Sequence, residues 1–283
     1  MKRLIITGDD FGFSLAVNEG IEEAHRAGIL GTASLMVGAE ATQDAVNRAR
    51  RLPSFRVGLH LVLVNGKPTL PPHVIPKLVD SGGEFSPHLF RAGMNYFFRP
   101  NVRKQLEQEI RSQFQAFQDT GLTLDHVNCH NHMHLHPTIG GFILKVGRDY
   151  GLRAMRYPYE PFLPSWRASR KALGRRLMSG ILLRPWLALL KSQLQRSGVL
   201  SNHIIFGMND SGHMKLDLVL RFLQELPSGI TEIYFHPASG GVSEMGRMSG
   251  TYGSQEELAL LKSPALRQAL RSADIQCISF RDL

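Results

Sequence analysis

Short apolar, β-branched runs alternate along this chain with stretches of helical spacing. Arg3–Thr7 (RLIIT), Thr32–Val37 (TASLMV), Val57–Val64 (VGLHLVLV), Leu124–Cys129, His203–Phe206 (HIIF), Thr231–Phe235 (TEIYF) and Ile275–Phe280 (IQCISF) read as strands, with a further short piece around Arg153–Arg156. Between them, Leu15–Ala27, Thr42–Arg51, Val102–Thr120, Thr138–Tyr150, Leu216–Leu226 and Gln255–Ser272 read as helices, the first capped by Ser14 and stopped by Gly28. In Val102–Thr120 the residues Leu106, Ile110, Phe114 and Phe117 fall on one side. The alternation predicts an α/β fold on a parallel sheet, either closed as a barrel or doubly wound.

Two stretches depart from the alternation. Asn65–Arg99 is rich in Pro, Gly and His with weak periodicity, and reads as a long loop over one face. In Trp166–Gln195, basic residues from Arg167 to Lys191 interleave with Leu, Ile, Met and Trp186; this insertion, about 166–196, reads as one or two basic amphipathic helices interrupted at Pro185.

With 283 residues, 43% hydrophobic and 20% charged, the chain fits one α/β catalytic domain with a sizeable core, residues 1–283. Its two cysteines, Cys129 and Cys277, do not make a disulfide scaffold and suit a reducing compartment. MKRLIITGDD meets carboxylates too early for a signal peptide, so a cytoplasmic location is expected, and no run reaches the ~20 apolar residues of a membrane span. A net charge of +9 could serve nucleic acid, an anionic membrane or an acidic substrate. No nucleic-acid module accompanies it, so nucleic acid is not expected. For Trp166–Gln195 the choice lies between a helical pair packed on the domain and a membrane contact.

The chemistry gathers at strand ends. Leu124–Pro137 (LDHVNCHNHMHLHP) holds five of the twelve histidines. Asp9, Asp10, His60, His130 and His236 all sit at, or just past, an expected strand, with His60 in the middle of its own, and in a barrel such positions converge on one rim. One Asp with two His suits Zn²⁺ or another divalent ion, and a second, adjacent carboxylate suits a general base, a combination that points to a hydrolase. Taken singly, Asp9-Asp10 reads as a helix-capping turn and His60 as a hydrogen-bonded core histidine; together they favour a site. His130, His132, His134 and His136 cannot all serve one centre, because an extended chain spreads them too far and a helical one turns them apart. His130 is the expected ligand, with His132 supporting it or facing substrate, and His126, His134 and His136 structural. Arg153 and Arg156 could hold substrate hydroxyls or pair with carboxylates.

The motifs TGDDFG, GLH at Gly58–His60, HNHMH preceded by Asn128-Cys129, and FHP at Phe235–Pro237 together resemble the YdjC-like carbohydrate deacetylases, in order and over most of the chain. That resemblance implies a (β/α)-barrel-like, TIM-barrel-related fold and a metal-dependent N-deacetylase acting on an N-acetylglucosamine-type sugar. It assigns Asp10, His60 and His130 to one divalent metal ion, Zn²⁺ by ligand type with Mg²⁺ as the alternative. It makes Asp9 the general base and His236 the acid that protonates the leaving amine. The basic insertion is a departure from what a soluble sugar would need, and together with the motif spelling it resembles the hopanoid-biosynthesis-associated (HpnK) branch, which implies a glycosylated hopanoid lipid as substrate and peripheral contact with the inner face of the cytoplasmic membrane. A deacetylase of soluble chitooligosaccharides and a non-catalytic metal- or sugar-binding protein are the alternatives.

Overall fold

Seven parallel strands form one sheet in the computed structural model, which describes residues 1–240 and 252–283. They are β1 (Lys2–Phe11), β2 (Thr32–Leu35), β3 (Arg56–Leu61), β4 (Leu124–Cys129), β5 (Ile204–Phe206), β6 (Gly229–Phe235) and β7 (Ile275–Ile278). Their order is β4-β3-β2-β1-β6-β5, with β7 beside the start of β1. The helices are α1 (Leu15–Arg26), α2 (Thr42–Arg50), α3 (Leu89–Phe98), α4 (Pro100–Asp119), α5 (Pro137–Gly147), α6 (Phe162–Ser169), α7 (Leu173–Ser197), α8 (Leu216–Gln224), α9 (Ser254–Leu261) and α10 (Pro264–Ser272).

The sheet is barrel-like. Beyond β4, Val127 pairs with Met155 and Ala154 with Leu200, and the Ile205 amide of β5 donates to the Tyr159 carbonyl at 2.9 Å. Only isolated bridges bind this side, because Pro158 and Pro161 deprive the segment after Met155 of ladder donors. The eight regular strands of a full TIM barrel are not found among the described residues.

The strands read differently on their two faces. Ile6, Ala33, Leu35, Val57, Leu59, Val127, Ile233 and Phe235 point to the helices and join the main apolar core. The opposite face carries Thr7 and Asp9 of β1, Thr32 and Ser34 of β2, His60 of β3, His126 and Asn128 of β4, and Glu232 and Tyr234 of β6, all buried. One step earlier along this face, Ile5, Ala154, Ile230 and Phe280 form a separate apolar cluster. The interior thus has an apolar floor, a polar middle and a rim at the carboxyl ends of the strands.

Four expectations need correction. Leu89–Phe98, read as loop, is helical; its apolar residues look outward, which hides it from a search for buried faces. The basic segment breaks at Arg170 and Ala172, both left-handed, and α7 runs through Pro185 without interruption. The final helix is two, restarted at Pro264, which occupies the first turn of α10. β1 continues to Phe11, so Asp9 and Asp10 lie within the strand.

Candidate active site

In a regular strand, neighbouring side chains point to opposite faces. Between Gly8 and Phe11 the register of β1 against β2 shifts, and Asp10 adopts φ 63°. This bulge turns Asp10 to the same centre as Asp9. His60 marks the result: its Nδ1 lies 4.0 Å from Asp9 Oδ1 and its Nε2 3.2 Å from Asp10 Oδ1.

His130, the first residue past β4, completes a triad. Its Nδ1 is 3.2 Å from Asp10 Oδ1 and 3.4 Å from His60 Nε2. One ligand atom from each of Asp10, His60 and His130 lies within 4.8 Å of the others, as a shared cation requires. Burial opposes the charge of Asp10, but the facing imidazoles of His130 and His60 outweigh it and hold its pKa well below the usual carboxylate range. Burial likewise works against protonation of His60, and Asp9 with Asp10 overcomes it, so its pKa is raised. Two imidazole nitrogens and a carboxylate converging in an electronegative pocket fit a divalent ion of borderline hardness.

Around this triad lies a connected set of hydrogen bonds. Asn128 Oδ1 accepts from His60 Nδ1 at 2.6 Å, which leaves Nε2 free to serve as a ligand. Asn128 Nδ2 donates to Asp9 Oδ1 at 3.1 Å and to Ser34 Oγ at 2.8 Å. Ser34 contacts His126 Nε2 at 3.0 Å, and His126 Nδ1 contacts Asp125 at 2.9 Å. Arg156 is fully buried between two carboxylates: it donates to both oxygens of Asp9 at 2.6 and 3.0 Å, and to Glu232 at 2.7 Å. The guanidinium also lies over the Tyr234 ring, 4.7 Å from its centroid. Burial penalises the Asp9 charge, yet Arg156 together with the His60 and His236 imidazoles outweighs it and keeps the carboxyl ionised far below its ordinary pKa.

His236, just past β6, faces the triad with Nε2 4.0 Å from Asp10 Oδ2. Burial lowers its pKa, against the pull of Asp10 and Asp9. Its backbone amide donates to Glu257 of α9 at 2.6 Å, and the Tyr252 ring centroid lies 4.8 Å from that of the imidazole. Asp10, His130 and His236 each keep 8% exposure, whereas Asp9 and His60 keep 2%, so the former three form the face open to a ligand.

The remaining histidines separate as the chain turns. Asn131 and His132 are both left-handed, and His130–Leu135 forms a 3-10 turn rather than an extended run. His132 Nε2 meets the Tyr234 hydroxyl at 3.0 Å, and burial pushes the imidazole down to about 3. His134 is wholly buried and held neutral by that burial. His136 packs edge-on against Phe97 of α3, and His126 stacks on Phe280 at the floor.

All five expected site residues, Asp9, Asp10, His60, His130 and His236, come together. Sequence reasoning left Arg156 open and missed Asn128 and Glu232. Their signal was polar residues at every second position of otherwise apolar strands, as in His126-Val127-Asn128 and Glu232-Ile233-Tyr234.

A family model described as YdjC-like protein matches residues 3–272. A carbohydrate deacetylase of Brevibacillus brevis is 30% identical over an alignment spanning 99% of both chains. One from Vibrio cholerae is 28% identical over 99% of this chain and 96% of its own. Among solved structures, an Enterococcus faecalis protein described as a candidate for cellobiose-phosphate cleavage matches with TM-score 0.78 and 25% identity, over 99% of this chain and 98% of its own. A lactam utilization protein from Thermus thermophilus matches with TM-score 0.51 at 12% identity, a likeness of fold alone.

Proposed function

The chain belongs to the YdjC-like family, and from that premise we propose that it is a metal-dependent carbohydrate N-deacetylase, residues 1–283 acting as one catalytic domain. The observation that carries the reading is the convergence of Asp10, His60 and His130 beside a second, separately braced carboxylate, Asp9. A protein that merely bound metal or sugar would not need that second carboxylate, which is why the non-catalytic alternative is set aside.

Asp10, His60 and His130 would hold a divalent ion, Zn²⁺ by donor type. Once bound, the ion supplies Lewis acidity for an acetamide carbonyl and acidifies water. Asp9 accepts the proton of the attacking water. Its two oxygens receive three hydrogen bonds, from Arg156 twice and from Asn128 once, which leaves a carboxylate about one acceptor site for that water. His236 faces the triad from the end of β6 and is placed to hand a proton to the departing nitrogen. Arg156 keeps Asp9 charged and oriented, while Asn128 ties the base to a ligand.

The substrate in this reading is an N-acetylglucosamine-type sugar; the relatives' description as carbohydrate deacetylases supports a carbohydrate, and the N-acetylglucosamine type is the finer part of the proposal. The basic, apolar-rich segment 166–196 favours the hopanoid-associated branch, with a glycosylated lipid as substrate at the inner membrane face; a soluble chitooligosaccharide has no use for such a segment. Metal content and acetate release test the site. Asp9→Asn should keep the metal and lose at least ~10²-fold in turnover, whereas His130→Ala should lose both. Acetate release that survives both substitutions would sink the assignment.

A further inference from the structure

Two stretches, far apart in sequence, bring apolar surface to one neighbourhood. On α3, Phe90, Met94, Phe97 and Phe98 recur at helical spacing and are exposed, Phe90 at 82% and Phe98 at 65%, while Ala92 and Tyr96 face the core. On α7, Leu187, Leu190 and Leu194 are buried, and Leu177, Met178, Ile181, Leu182, Trp186 and Leu189 stand exposed on the other side. This is the reverse of what two helices need only to cover a core. Both pack against α5; Phe97 meets His136, and α7 also touches the His130–Leu135 turn that leads out of the site.

Charge follows the same division. Residues 161–209 contain eight Lys and Arg and no Asp or Glu, and residues 85–106 contain four and none. All 24 carboxylates of the chain lie elsewhere, so the net positive charge of +9 resides in these two stretches and the rest is slightly acidic. Arg176 is buried against Glu160 and Asp210 and Arg167 faces Glu225, whereas Arg91, Arg99, Arg175, Arg184 and Lys191 are exposed with no carboxylate partner among the described residues. Apolar side chains set among these five cations complement an anionic bilayer surface. No helix among the described residues is long and apolar enough to cross a membrane, which leaves contact in the plane of the interface.

We infer that α3 and α7 together form a membrane-docking face beside the mouth of the site, its occupant the surface of an anionic lipid bilayer. Phe90, Phe97 and Phe98 from one side, and Ile181, Leu182 and Trp186 from the other, enter the interface, while Arg91, Arg99, Arg175, Arg184 and Lys191 meet headgroups. The contact extends beyond the basic segment to a helix outside it, and it orients the rim toward lipid. Its purpose rests on the lipid-linked reading of the substrate; its existence does not.

Flotation with vesicles tests it. Wild-type protein should bind phosphatidylcholine vesicles containing phosphatidylglycerol at least ~10-fold better than phosphatidylcholine alone, and less well as salt rises. Phe90→Ser with Phe98→Ser, and separately Ile181→Ser with Leu182→Ser, should each weaken that binding by about 10-fold. Acetate release from a soluble N-acetylated sugar, unchanged in both variants, reports intact folding. If α3 variants float like wild type, the face does not include α3, and the inference fails. It fails equally if wild type ignores anionic vesicles, including where light scattering reveals a dimer that the same substitutions dissolve. Should wild type float yet release no acetate from either a soluble or a lipid-linked N-acetylated sugar, the deacetylase reading falls while the docking face stands, with circular dichroism reporting the fold.

Discussion

Asn128 joins two tasks in a single amide, accepting from His60 and donating to Asp9. Loss of such a support to a metal-binding histidine typically weakens metal affinity by about 10–100-fold. Asn128→Ala should therefore release its metal to a chelator that the wild-type protein resists by that margin; equal retention would mean that His60 is oriented by packing alone. At this scale the sequence was readable where a residue's chemistry is unusual for its place, as with paired aspartates or a histidine in an apolar strand. Asn128 and Arg156 are ordinary residues by that measure. Their roles depend on partners 119 and 147 residues away, Asp9 in both cases, and no local pattern names a partner. The bulge at Asp10 was equally silent, since a left-handed aspartate looks like any other in sequence.

At the scale of elements, the glycine of the GLH motif has a steric cause. A Cβ on Gly58 would lie 2.5 Å from the His126 ring and from the His126 carbonyl, so β3 and β4 approach as closely as they do only because that atom is missing. Gly58→Ala should cost about 1–3 kcal/mol in urea unfolding and should weaken metal binding, because His60 lies two residues along the displaced strand. Stability and affinity both at wild-type level would refute this account. Strands and most helices followed from periodicity, because burial on one face leaves a period to read. The exceptions were α3 and α7. An outward apolar face mimics neither a core helix nor a polar loop, and Pro185 was read as a break although α7 accommodates it.

Across the whole molecule, Glu257 links α9 to the site through its hydrogen bonds to the His236 and Met214 amides. Burial raises its pKa from 4.5 to about 7, against those two donors. The folded protein thus holds this proton more tightly than the unfolded chain does. The stability it contributes is complete below pH 4.5 and disappears as the pH rises through about 7, a change of ~3 kcal/mol. Unfolding free energy should accordingly decline between about pH 5 and pH 8, and Glu257→Gln should flatten that decline. An unaltered slope in the variant would assign the titration to another group.

The apolar floor of Ile5, Ala154, Ile230 and Phe280 has a consequence for traffic. A vessel sealed at one end has a single door, so whatever enters by the rim must leave by it. In the proposed reaction, acetate and the freed amine then queue behind one another in the space the next substrate needs. On the proposed docking, which turns that door toward a lipid surface, release of the products becomes a sideways step along the bilayer rather than a passage through the protein.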